Sequence, residues 1–123
     1  MNDLNTGRAD SVLIVDFEHR GHQKQQALLV HLENMLIDLG DRKLGVEVVV
    51  YGLGLAMLVQ AQSGYSQQVH QLQAKGAVFS ACSNAMAAQG VNSGDLLDGT
   101  IVVPSGVGRI VQEQLDGAIY FKA

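Results

Sequence analysis

Cys82 is the one cysteine of this 123-residue chain, and its neighbours suit a reactive thiol. Residues 77–81 before it are small or apolar and predict a buried strand, whereas Ser83 and Asn84 after it commonly begin helices. At such a junction, free backbone amides and the positive end of a helix dipole stabilise a thiolate. The position also suits a small packed hydrophobe, because free cysteine is among the most buried residue types. Residue types alone leave both interpretations open.

Three further segments carry residues that can build a site around this thiol. Asp16 ends an apolar segment, and a charged loop with His19 and His22 follows it. Asp16 can orient a group in a cleft or cap a turn, and His19 or His22 can assist a thiol as a cation or remain solvated. Small-residue turns before predicted helices aim backbone amides at an anion or sulfur group. The candidate binding residues are Ser83, Asn84, Gly52, Gly54, Pro104, Ser105 and Gly106.

Alternating apolar strands and amphipathic helices predict an α/β fold, a three-layer sandwich around a mostly parallel five-stranded sheet. In such a sheet the candidate residues meet beyond the carboxyl ends of the strands. The last helix is predicted to carry an apolar face of Val107, Ile110, Val111 and Leu115. We expect residues 1–10 to be a poorly ordered tail and residues 11–123 to form one domain. The predicted strands are 11–17, 46–51, 77–81, 100–103 and 118–121, and the predicted helices are 25–39, 55–62, 65–75, 83–89 and 106–115.

Composition argues against several classes of function. A net charge of −4 without a Lys/Arg cluster disfavours nucleic-acid binding. One cysteine cannot form an internal disulfide, which fits a reducing compartment, and the polar start lacks a signal peptide. We therefore expect a soluble cytoplasmic protein that does not interact with membranes.

We expect neither a metal nor an organic cofactor. The four histidines have no convincing metal spacing. The glycine turns lack the lysine of a P-loop and the third glycine of a dinucleotide fingerprint. A flavin site remains an alternative, but Phe17 is the one aromatic residue that the predicted cleft offers for stacking.

Three segments are informative when they are taken together: VEVVVYGLGL at 46–55, LQAKGAVFSACSNAM at 72–86 and IVVPSGVGRIVQEQLDGAIY at 101–120. They resemble the DsrE/DsrF-like proteins of sulfur metabolism, and the similarity extends over about residues 12–120. The two most specific blocks surround Cys82 and the Pro104 turn.

The resemblance implies a five-stranded α/β/α fold, assembly as trimers, hexamers or related hetero-oligomers, and in some members a persulfide carried on a cysteine. Cys82 matches the family's cysteine after the third strand, and Asn84 matches its neighbour. The implied function is sulfur relay, in which Cys82 takes sulfane sulfur from a donor protein and hands it to an acceptor protein. The alternative is a non-catalytic oligomeric module that binds a small ligand or a protein.

Assembly is also expected from two short apolar helices, at residues 55–59 and 85–88. They carry more Met, Ala and Leu than a small monomer should leave in contact with water. We expect these helices to be buried in a homo-oligomer.

Overall fold

The computed structural model describes residues 11–123, which form one five-stranded sheet in which every strand pairs in parallel with its neighbour. The strands are β1 (Ser11–Phe17), β2 (Leu44–Val50), β3 (Val78–Cys82), β4 (Ile101–Val103) and β5 (Ile119–Lys122). Their order across the sheet is β4-β3-β2-β1-β5. This confirms the predicted α/β fold. The predicted tail, residues 1–10, lies outside the described residues.

Helices follow the first four strands. They are α1 (His22–Leu39), α2 (Ser66–Ala74), α3 (Ser83–Gln89) and α4 (Gly106–Leu115), with 3₁₀ segments at Gly52–Leu58 and Ser93–Asp95. Several bounds shift by one or two residues from the prediction, and two segments differ more. His22 already lies in α1, and the segment after β2 is a 3₁₀ helix that begins at Gly52 and ends at Leu58.

The main core lies on the face of the sheet that α1 covers. Strand side chains that alternate toward this face, such as Val15, Val48 and Phe79, pack against Leu28 and Leu32 of α1. The two short apolar helices belong to this core, since Leu55, Met57 and Leu58 are fully buried and Ala85 and Met86 nearly so. The expectation that a partner chain buries these helices was therefore wrong for their core residues, which are buried within the monomer, whereas Ala87 and Ala88 are exposed.

The opposite face of the sheet, which we call the α4 face, carries Ile14, Asp16, Glu47, Val49, Ser80 and Cys82. Its apolar cluster is small and joins Ile14 and Val49 to Ile110 of α4. The predicted apolar stripe of α4 is thus buried only in part. Val107, Val111 and Leu115 stay exposed, because within the described residues α4 packs on this face without a second helix beside it.

Among the described residues, no helix is both long and apolar enough to span a bilayer.

Candidate functional site

Cys82 is the last residue of β3 and the N-cap residue of α3, as the sequence predicted. Its side chain makes no capping hydrogen bond to the first-turn amides of α3. The thiol itself is poorly accessible: only 6% of Cys82 is exposed. An external reagent therefore needs local movement or a partner to reach the sulfur.

The first residue of α4 provides much of this cover. A Cβ atom built on Gly106 would lie 3.3 Å from Cys82 Cβ and 3.0 Å from Tyr51 Cβ. Any larger residue at position 106 would push α4 away from the sheet, so glycine permits the close approach. The structure thus brings together Gly106, which was predicted, and Tyr51, which was not.

The Pro104 turn borders this contact. Ser105 is the N-cap residue of α4, and its Oγ accepts a hydrogen bond of 3.0 Å from the backbone N–H of Gly108. Pro104 is exposed beside it. A cavity of about 140 Å³ opens here, lined by Val103, Pro104, Ser105, Gly108, Arg109 and Gln112. Since Val103 pairs with Cys82 across the sheet, this cavity adjoins the strand that carries the thiol.

A buried ion pair holds α4 on the sheet. Glu47 of β2 accepts hydrogen bonds from both Nε and Nη2 of Arg109, at 2.9 and 2.8 Å, and a third from Ser80 Oγ at 2.7 Å. The hydrogen bonds to Glu47 raise the pKa of Arg109. Sequence reasoning missed this pair, although a carboxylate within an apolar strand signals a buried partner. The pair fixes the helix whose first residue covers Cys82.

Asp16 is buried at the carboxyl end of β1, where its carboxylate accepts two hydrogen bonds. Tyr51 Oη donates to Oδ1 at 2.6 Å, and Tyr120 Oη donates to Oδ2 at 2.5 Å. Burial and the hydrogen bond to Asp16 raise the pKa of Tyr51. The separate hydrogen bond that Tyr120 donates to Asp16 is the main cause of the raised pKa of Tyr120. Both phenols therefore stay protonated at neutral pH. The two tyrosines are site residues that sequence reasoning did not find.

Gly52 and Gly54 pack against parts of the chain other than the thiol. Gly52 has a φ of +56°, and its carbonyl accepts a hydrogen bond from Gln89 Nε2. A Cβ atom on Gly54 would lie 2.9 to 3.0 Å from backbone atoms of Glu18 and His19. These glycines let the turn after β2 pack tightly against the loop after β1.

The structure does not bring the loop histidines to Cys82. The ring of His19 packs edge-on against Phe17, whose side chain lies on the other face of β1 from Asp16. His22 lies near Tyr65. By contrast, Ser83 and Asn84 follow the thiol directly, with Ser83 half-buried and Asn84 exposed.

Within residues 11–123, no three His, Cys, Asp or Glu side chains lie close enough together to hold a metal ion. Phe17, the aromatic considered for flavin stacking, is buried in the core and presents no ring to a cleft.

Comparison with known proteins agrees with this geometry. The DsrE/DsrF-like family model matches residues 10–123. A solved structure from Methanobacterium thermoautotrophicum, the protein of unknown function MTH1491, is 34% identical with a TM-score of 0.87, covering 93% of this chain and all of that one. The ychN protein from E. coli shares the fold at 15% identity and a TM-score of 0.68, covering 92% of this chain and 98% of that one. No curated protein matches at a significant level. The chain therefore belongs to the DsrE/DsrF-like family, a membership that suggests a role related to sulfur relay.

Proposed function

We propose that this protein is a sulfur carrier that holds sulfane sulfur as a persulfide on Cys82 and transfers it to a partner protein in the cytoplasm. The observation that carries the proposal is the position of Cys82 as the uncapped N-cap residue of α3 at the carboxyl end of a central strand. Backbone amides at that position stabilise a thiolate or a persulfide anion. Ser83 and Asn84 would supply those amides.

The transfer conserves atoms and electrons. The Cys82 thiolate attacks the outer sulfur of a donor persulfide, so that a new S–S bond forms at Cys82 while the donor S–S bond breaks. The donor leaves as a thiolate and takes up a proton. Because the chain has no second cysteine, Cys82 has no internal partner with which to form a disulfide. Release of the sulfur therefore requires an external acceptor thiol.

The burial of Cys82 supports one competing function, a non-catalytic module that binds a partner or small ligand. A thiol that is only 6% exposed is typical of a packed core cysteine. In this case Cys82 would contribute to packing below α4, and the cavity beside the Pro104 turn would serve binding alone.

Intact-mass measurement of the wild-type protein separates these two functions. After incubation with an inorganic polysulfide or a low-molecular-weight persulfide, a carrier gains the mass of one or more sulfur atoms. A thiol reductant should remove this gain. Absence of any gain with either donor, in protein that remains folded, would contradict the carrier function.

We also propose that the protein is a homo-oligomer, with a trimer or hexamer expected from the resemblance. Support comes from apolar side chains that the monomer leaves exposed, and α4 contributes three of them. A surface of this kind is stabilised when a second copy covers it. The exposed apolar residues on and beside the α4 face are Val78, Ile101, Val107, Val111 and Leu115.

Light scattering checks the oligomeric state directly. We expect a molar mass of at least three times 13.1 kDa, and a concentration-independent mass of 13.1 kDa would rule out assembly. Val111→Lys should lower the mass, because a lysine on α4 would have to be desolvated in the interface. Val30→Lys on α1 is the matched control, since the two valines are 49% and 47% exposed. Equal effects of the two variants would place the interface elsewhere.

A further inference from the structure

Four polar or reactive side chains form a row across the carboxyl edge of the α4 face. Tyr120 of β5 comes first, followed by Asp16 of β1, Tyr51 after β2 and Cys82 of β3. Tyr51 lies beside Cys82, because the residues before them, Val50 and Ala81, pair across the two strands. Tyr51 is therefore the member of the hydrogen-bonded cluster that adjoins the thiol.

The hydrogen bond to Asp16 determines the direction in which the Tyr51 ring points. β2 has β1 on one side and β3 on the other. Since Tyr51 Oη donates to Asp16 of β1, the ring leans toward β1 and away from Cys82 of β3. Gly106 packs against the Cβ and Cγ atoms of the Tyr51 side chain. A Cβ atom built on Gly106 would lie 3.3 Å from Tyr51 Cγ.

Burial of Asp16 makes this arrangement costly to break. The residue is only 8% exposed, and each carboxylate oxygen is satisfied by one phenol. The cluster also lies where the strand order reverses, between β1 and β5, a position at which open α/β sheets commonly bind ligands. A buried charge with two hydroxyl donors, at the edge of the sheet that carries the thiol, points to a role in the site.

We propose that Tyr51 is the positioning residue that controls access to Cys82, and that Asp16 sets its orientation. With the hydroxyl bound to Asp16, the ring stays off β3, so that a movement of α4 at Gly106 is enough to open the buried thiol to the incoming sulfur. Without that bond, the ring is free to turn toward β3 and cover the thiol. The inference rests on the proposed function of Cys82 as a reactive thiol.

Three variants test this assignment through the rate of native-state alkylation of Cys82 by iodoacetamide. Tyr51→Phe keeps the ring but loses its bond to Asp16, so alkylation should slow by about ten-fold, the factor that one hydrogen bond to a charged group represents. Tyr51→Ala loses the same bond to Asp16 but has no ring to cover the thiol, so alkylation should not slow. Tyr120→Phe is the matched control, because it also leaves one Asp16 oxygen unpaired but lies two strands farther from Cys82.

Slower alkylation in Tyr51→Phe but not in Tyr51→Ala, with an unchanged rate for Tyr120→Phe, would support the proposal. General loosening of the fold accelerates alkylation in every variant and cannot produce the slower rate. The proposal would be overturned if Tyr51→Phe reacts as fast as the wild type or faster, or if Tyr120→Phe slows alkylation by the same factor. Alkylation does not depend on sulfur transfer, so a wild type that fails to load sulfur would contradict the proposed function while these rates still decide the role of Tyr51.

Discussion

Cys82→Ser should abolish sulfur loading while the chain still folds. An alcohol has no sulfur with which to form a persulfide and is not ionised near neutral pH. Serine has nearly the volume of cysteine, but its hydroxyl would be buried, which costs about 1–3 kcal/mol if it finds no partner. Intact mass after exposure to a polysulfide, together with thermal unfolding, measures both effects.

The control for this variant moves the only thiol. In Cys82→Ser/Ala88→Cys the cysteine lies at an exposed position near the end of α3, away from the helix N-terminus. We expect it to load sulfur more slowly than the wild type, because exposure alone does not stabilise a thiolate. Equal loading rates would show that the position of Cys82 has no special chemistry. If the wild type gains no mass and Cys82→Ser loses much of its stability, Cys82 has a purely structural role.

Arg109→Met should lower the free energy of unfolding by about 3 kcal/mol, near the lower end of the range for breaking a buried ion pair. Methionine keeps most of the side-chain volume but leaves Glu47 as a buried carboxylate with Ser80 as its remaining hydrogen-bond donor. The lower end applies because the Arg109 side chain is 36% exposed. Urea unfolding followed by circular dichroism gives the value.

Two companion variants separate the Glu47 pair from the other charge contact of Arg109. Glu113→Gln removes a second acidic neighbour, which lies 3.4 Å from Arg109 and one turn along α4, and should cost less than about 1 kcal/mol, as is typical of i,i+4 pairs. Glu47→Gln/Arg109→Met should recover part of the loss, since it removes the unpaired charge and keeps an acceptor for Ser80. Equal losses in Arg109→Met and Glu113→Gln would contradict the anchoring role of Glu47.

Local sequence signals were sufficient for much of the fold. Strand β1 and helix α3 have the predicted bounds, because a continuous apolar run defines a central strand and Gly90, in the left-handed conformation, ends α3. The placement of Cys82 between strand and helix followed from the same signals. The helix type of the segment after β2 was harder to predict, since Gly52 and Gly54 indicate a turn but do not distinguish a 3₁₀ helix from an α-helix.

The sequence by itself thus determined the α/β class, the alternation of strands and helices, and the position of the single thiol, all of which depend on nearby residues. Tertiary structure decided what surrounds that thiol. The Glu47–Arg109 pair joins residues 62 positions apart, and the Asp16–Tyr120 pair joins residues 104 apart. No local pattern encodes such pairs, because they depend on the strand order that places β5 beside β1 and lays α4 across the sheet. For the same reason, the sequence predicted the apolar stripe of α4, and only the packing showed that Ile110 is buried while Leu115 stays 80% exposed.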